Sequence, residues 1–159
     1  MTTPLVVLRS LQGPLGDIKE LAGSSRASLA LVQSQVNRIL DLVGPIEFSV
    51  YGPVAAVHQV VPGMRFLGED KGTILFVNGG SAVKPGRNVT GTSIAFAGQA
   101  AYVELLHEVL AEEGIHVAQL IIGGQIIEGD PEKDPDVLAE HLWKLHEGRD
   151  TFRQQISAD

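Results

Sequence analysis

A chain of 159 residues is enough for one domain with a single core. It is 44% hydrophobic but only 5% aromatic, with 18 glycines, a balance that suits the small-residue packing of an α/β fold. The net charge of −7 with no basic patch argues against nucleic acid as a partner, and the absence of cysteine excludes disulfides and thiolate chemistry. The N-terminal Met-Thr-Thr-Pro lacks a charged segment leading into a long apolar run. Since no apolar stretch approaches membrane-spanning length either, the expectation is a soluble cytoplasmic protein with no membrane partner.

In chain order, Pro4 to Leu8 forms a short apolar run that reads as a strand, followed by a turn region with Gly13-Pro14 and Gly16. Asp17 to Ala22 reads as a helix whose Ile18, Leu21 and Ala22 share a face. Gly23-Ser24-Ser25 stops it, Ser28 to Val32 reads as a second strand, and Gln33 to Val43 as a second helix with Val36, Ile39, Leu40 and Val43 apolar. Gly44 then joins this βαβα region directly to Pro45–Met64.

The most informative stretch is Gly72 to Gly124. Thr73-Ile74-Leu75-Phe76-Val77 is a buried-strand pattern closed by Asn78-Gly79-Gly80-Ser81. A loop with Pro85 and Gly86 leads into the small-residue segment Gly91–Ala101 and then Tyr102–Leu110, whose apolar residues at 102, 105, 106, 109 and 110 keep helical spacing. Gly114 stops that helix, and Ile115–Ile122 is a second strand closed by Gly123-Gly124. Strand, crossover helix and strand make a βαβ unit, so the two strands are expected as parallel neighbours. Further on, Asp134-Pro135 opens a helix with apolar residues at 138, 142 and 145, and Phe152–Ile156 reads as the last strand.

The order of strand, Gly-Ser turn, loop, small-residue helix, Glu-Glu-Gly-Ile-His-Val, strand and Gly-Gly resembles the C-terminal half of a short-chain dehydrogenase/reductase. The resemblance covers residues 45–156, with 1–44 matching the nucleotide-binding half. It implies one shortened Rossmann-like α/β domain over residues 1–159, three-layered, with a mostly parallel sheet. It makes Pro45–Met64 the long helix before the serine strand, with Gly52, Pro62 and Met64 on the family pattern and Ser49 at the family asparagine. Ser81 falls on the family's substrate-polarising serine. The Tyr-x-x-x-Lys pair is absent: its positions fall near Ser93 and Ala97, while Tyr102 is followed at the lysine spacing by Leu106.

The resemblance implies catalytic roles for Ser81 and Ser93. It also implies dinucleotide contacts at Gly13, Gly16, Asn78, Gly79, Gly123 and Gly124, with NAD or NADP as the cofactor, or none. Each has an ordinary alternative: Ser81 as a cap of its own turn, and the glycine pairs as plain turns. No His, Asp or Glu cluster has metal-ligand spacing; His141 and His146 are five apart, His58 and His107 fit structural roles, and Glu128–Asp136 reads as a solvated acidic loop. Trp143 is expected in a core or an interface.

The family strands missing between the second helix and residue 45 would leave a central slot beside the first strand. That strand must pair directly with the serine strand, or the open edge must recruit another chain. A homo-oligomer through helices 45–66 and 93–111 is expected. Three functions follow: an oxidoreductase by ancestry with weak or absent NAD(P)-dependent activity, a non-redox isomerase, cyclase or dehydratase reusing the pocket for a small carbonyl or hydroxyl compound, or a non-catalytic oligomeric interaction protein.

Overall fold

The computed structural model describes residues 41–68 and 71–157. Contacts within the chain divide it into two compact units, Met1–Arg38 and Ile39–Asp159, and the described residues belong to the second. The strands expected at 4–8 and 28–32, the helix at 17–22, most of that at 33–43, and Gly13 and Gly16 lie outside the described residues.

The helical run before the first described strand has three parts. A single turn, α1 (Val43–Ile46), passes through a π-helical turn at Glu47–Tyr51 into α2 (Gly52–Met64). The wide turn has a local cause. Pro53 has no N–H to return to the carbonyl of Ser49 four residues earlier, and its ring crowds that carbonyl. The ladder therefore steps to i→i+5 spacing, with the Gly52 N–H donating to Glu47 O. Pro62, inside α2, is a second missing donor.

Next come β1 (Thr73–Gly79), 3₁₀ turns at Gly80–Ala82 and Arg87–Val89, and the long α3 (Thr90–Ala111). Gly114 turns the chain with φ +78 into β2 (His116–Ile122); α4 (Pro135–Gly148) and β3 (Arg153–Ile156) follow. Asp134 caps α4 by accepting the Asp136 N–H, as the Asp-Pro signal predicts. The three strands form one sheet in the order β1-β2-β3, and both pairings are parallel. Register runs from Thr73 opposite His116 to Gly79 opposite Ile122, the neighbour relation expected of the βαβ unit.

The sheet has a helical layer on each face. On one side Phe76 and Val117 pack with Val57 and Val61 of α2 and Val103 and Leu110 of α3. On the other, Ala118, Leu120, Ile122 and Ile156 pack with Leu138 and Leu145 of α4. Every residue of β2 is buried, as a central parallel strand covered on both faces requires. The result is a mixed α/β unit with a small parallel sheet, a shortened Rossmann-like arrangement. Trp143 is 59% exposed, resting against the His146 ring rather than in the core. Among the described residues no helix is long and apolar enough to cross a membrane.

At the amino ends of the strands, Arg149 donates from Nη2 to Gly72 O at 3.2 Å and Gly114 O at 3.0 Å. It thereby ties together the glycine turns that start β1 and β2. Leu120 is fully buried between β1, β3 and α4, so Leu120→Ala should lower unfolding stability by about 2–5 kcal/mol. Val77, 48% exposed on β1, should tolerate Val77→Ala with a loss below about 1 kcal/mol. Urea denaturation of the two variants checks the ranking.

Candidate functional site

In an open parallel sheet, ligands sit beyond the carboxyl ends of the strands, where the loops diverge. Here those ends form a cleft of about 490 Å³ lined by Gly79, Gly80, Ser81, Lys84, Ile122, Gly123, Gly124, Gln155 and Ser157. The volume falls within the roughly 300–1,000 Å³ usual for small-molecule sites. The β1 turn supplies one wall, the β2 turn the floor, and the end of β3 the opposite rim.

Space is tight where the two turns meet, which favours glycine. A Cβ on Gly80 would lie 3.1 Å from Gly123 Cα, and one on Gly79 would lie 3.3 Å from the Phe96 ring. Gly124 has φ +81, a left-handed conformation that strains other residues. The glycine turns therefore pack on each other, and their closeness brings Ser81 to the cleft. Ser81 sits in the 3₁₀ turn Gly80–Ala82, half-buried. The turn closes on Gly80 O, which accepts from Val83 N at 3.1 Å and Lys84 N at 2.9 Å.

Of the residues singled out from sequence, Gly79, Ser81, Gly123 and Gly124 line one cleft. Asn78 is beside it but buried, its amide donating to Gln99 Oε1 at 3.0 Å. Gln99 Nε2 in turn donates to Ser49 O at 2.6 Å, the carbonyl that Pro53 cannot serve. Asn78 Oδ1 is buried and has no hydrogen-bond partner among the described residues. Ser93 does not line the cleft: it is buried, donates to Val89 O at 2.8 Å and accepts from Gly86 N at 3.1 Å, so its hydroxyl holds the loop before α3.

The structure adds Lys84, Gln155 and Ser157, which sequence reasoning missed. Lys84 had a signal, standing three residues after Ser81 in the same loop. Gln155 and Ser157 had none, since only sheet pairing brings β3 to the cleft. A larger groove of about 640 Å³ runs along β1 beside α2, lined by residues such as Phe48, Val60, Met64 and Phe96. It is mostly apolar and, among the described residues, is lined by no ionisable side chain, whereas the strand-end cleft has one.

Three of the five histidines, His107, His116 and His146, cluster at the other end of the sheet. His107 Nδ1 lies 2.9 Å from Val117 O, and His146 Nδ1 lies 2.9 Å from Thr73 Oγ1. The His107 and His116 rings meet edge to face at 6.3 Å, and His116 Nε2 is buried without a hydrogen-bond partner among the described residues. Among the described residues no group of three or more His, Cys, Asp or Glu could hold a metal ion. In the acidic loop, Asp130 Oδ1 accepts the Glu132 and Lys133 N–H groups and Asp134 Oδ2 accepts that of Gly129, so both carboxylates serve as loop staples. No protein-family model, curated protein or solved structure matches the chain.

Burial pushes the His116 pKa down, against an opposing backbone hydrogen bond at Leu145 and aided by the charges of Arg149, His107 and His146. The folded state therefore prefers neutral His116, and the unfolded chain takes up a proton first. The stability it contributes is complete above about pH 6.5 and is lost as pH falls through the lowered folded value. Backbone donors hold Asp130 and Asp134 below the ordinary carboxylate range, adding a second loss below about pH 4. Urea midpoints should fall from pH 7.5 to 5.5 in the wild type and change less in His116→Gln. An equal fall in both would remove His116 as the cause.

Proposed function

We propose that this chain is a shortened relative of the short-chain dehydrogenases/reductases whose strand-end cleft binds a small carbonyl or hydroxyl compound and transfers hydride weakly or not at all. A cytoplasmic setting is part of the proposal. The carrying observation is the meeting of Ser81 with the Gly79-Gly80 and Gly123-Gly124 turns at the carboxyl end of a parallel sheet. That is where the resemblance puts a carbonyl-polarising serine and a glycine floor for a nicotinamide.

A nicotinamide dinucleotide would supply hydride. The described residues fit only its nicotinamide end, at Gly123 and Gly124, because Gly13 and Gly16 lie outside them. The chain's own contribution is narrower. The half-buried Ser81 hydroxyl can donate to a substrate oxygen and hold it against the β2 turn. Among the described residues lining the cleft there is no tyrosine, histidine or carboxylic acid, and Lys84 there lacks the tyrosine with which the family's lysine completes a proton transfer. Ser93, at the expected tyrosine position, is occupied by its own backbone contacts. A positioned general acid contributes typically 10²–10⁴-fold, so its loss removes most redox turnover while leaving binding.

Small carbonyl compounds should raise the melting temperature of the wild type, and Ser81→Ala should weaken their binding by about fivefold, the worth of one neutral hydrogen bond. NADH or NADPH oxidation with the same compounds should stay near background. Turnover at an ordinary enzymatic rate, on the order of 1–10³ s⁻¹, would overturn the reading.

A second reading, a homo-oligomeric interaction protein, is favoured by the exposed apolar residues of the helical layer. Leu105 and Val109 of α3 are 63% and 62% exposed, and Val60 of α2 is 47% exposed. Sedimentation of the wild type and of Leu105→Glu/Val109→Glu checks it. Dissociation of an oligomer by the double substitution supports an interface there, and a monomeric wild type removes it.

A further inference from the structure

Lys84 is the one ionisable side chain lining the strand-end cleft among the described residues. We infer that the cleft is selective for small monoanions, in particular oxo acids, whose carboxylate is held by the Lys84 ammonium while Ser81 donates to the carbonyl oxygen. The inference rests on the reading of the cleft as a small-carbonyl site and adds the charge of the ligand.

Three observations carry it. The turn Gly80–Lys84 is closed by hydrogen bonds from both Val83 N and Lys84 N to Gly80 O, which hold Ser81 and Lys84, three residues apart, within one turn. Both line the same cleft, which makes a neutral donor and a cation neighbours on one wall. The remaining polar lining, Gln155 and Ser157, is neutral, so no carboxylate in that lining competes for the ammonium. In a chain of net charge −7, the cleft is thus a local exception to an overall field that disfavours anions.

The chemistry also bounds the anion. A phosphate dianion is ordinarily met by several cations or a forked guanidinium. One ammonium with three neutral polar side chains matches a single negative charge. A carboxylate next to a carbonyl presents both groups within one short molecule, as the spacing of Lys84 and Ser81 on one turn requires.

The test uses the full chain, labelled with ¹⁵N, and follows the amides of Gly79, Gly80, Gly123 and Gly124. It is titrated with pyruvate, 2-oxobutyrate and acetoacetate, with the methyl esters of the same acids, and with inorganic phosphate. The acids should shift these amides and the esters should bind about tenfold more weakly, the share expected of a charge-assisted contact. Lys84→Met should abolish the difference between acid and ester, Lys84→Arg should retain it, and raised salt should weaken acids more than esters.

Lys84 is exposed, so neither substitution should disturb folding. Equal binding of acids and esters, unchanged in Lys84→Met, overturns the charge selectivity and leaves the carbonyl cleft standing. Phosphate binding more tightly than the oxo acids overturns the assignment to a monoanion. Shifts at none of the four glycines with any probe overturn the cleft reading itself.

Discussion

The described unit depends on β2 being a strand that no solvent reaches. Its seven residues are all buried, flanked by β1 and β3 at its edges and by α3 and α4 on its faces. A parallel strand in that position must satisfy its backbone entirely through its neighbours. Pairing with β1 from Thr73–His116 to Gly79–Ile122 serves one edge and pairing with β3 over Gln119–Ile122 serves the other, and the β1 register also decides where the two strands end. Because they end in step, their glycine turns come together, and the 3.1 Å approach at Gly80 leaves room for a side chain only if the Gly123 backbone yields. The cleft is a consequence of that register.

A second constraint concerns polar groups inside the helical layer. Pro53 leaves the Ser49 carbonyl without its usual helical donor, and Gln99 of α3 supplies one while its oxygen accepts from Asn78 of β1. One side chain thus links the π-helical turn, the long helix and the end of the serine strand. Gln119 plays a comparable part further along the same face: fully buried in β2, it accepts from Arg153 Nε at 2.7 Å, and Arg153 reaches Ala100 O and Glu104 on α3. These amides make the α3 side of the sheet specific in geometry, whereas the α4 side is held by aliphatic packing. Arg149 performs the matching role at the amino ends.

The two ends of the sheet differ in chemistry for the same reason. At the amino ends, a cluster of histidines with Arg149 is packed against turns and strands, and burial favours the neutral form of His116. At the carboxyl ends, backbone glycines and short polar side chains leave open volume beside one lysine. Ser81 belongs to the second environment and Ser93 to neither. Two serines twelve positions apart therefore have unlike prospects: one faces a cleft, the other has both hydrogen-bonding functions taken by its own loop.

Local pattern determined the elements. Residues 73–77 and 115–122 read as strands because apolar runs bounded by glycine or polar turns have few other ways to be buried. The helix opening at Asp134-Pro135 read correctly because capping and proline placement are local. Sequence also placed Gly79, Ser81, Gly123 and Gly124 at strand ends, from which a shared cleft follows once the strands are parallel. Tertiary structure alone decided the rest. The Ser49 carbonyl left open at Pro53 finds its donor in Gln99, which is 50 residues away in the chain. The burial of Ser93 depends on how the 84–90 loop folds back. Gln155 and Ser157 reach the cleft only through pairing of β3 with β2, and Trp143 is outside because α4 turns Leu138 and Leu145 inward instead. Periodicity reports which residues are buried within one element, but which elements share a site is set by register and packing between segments far apart in the chain.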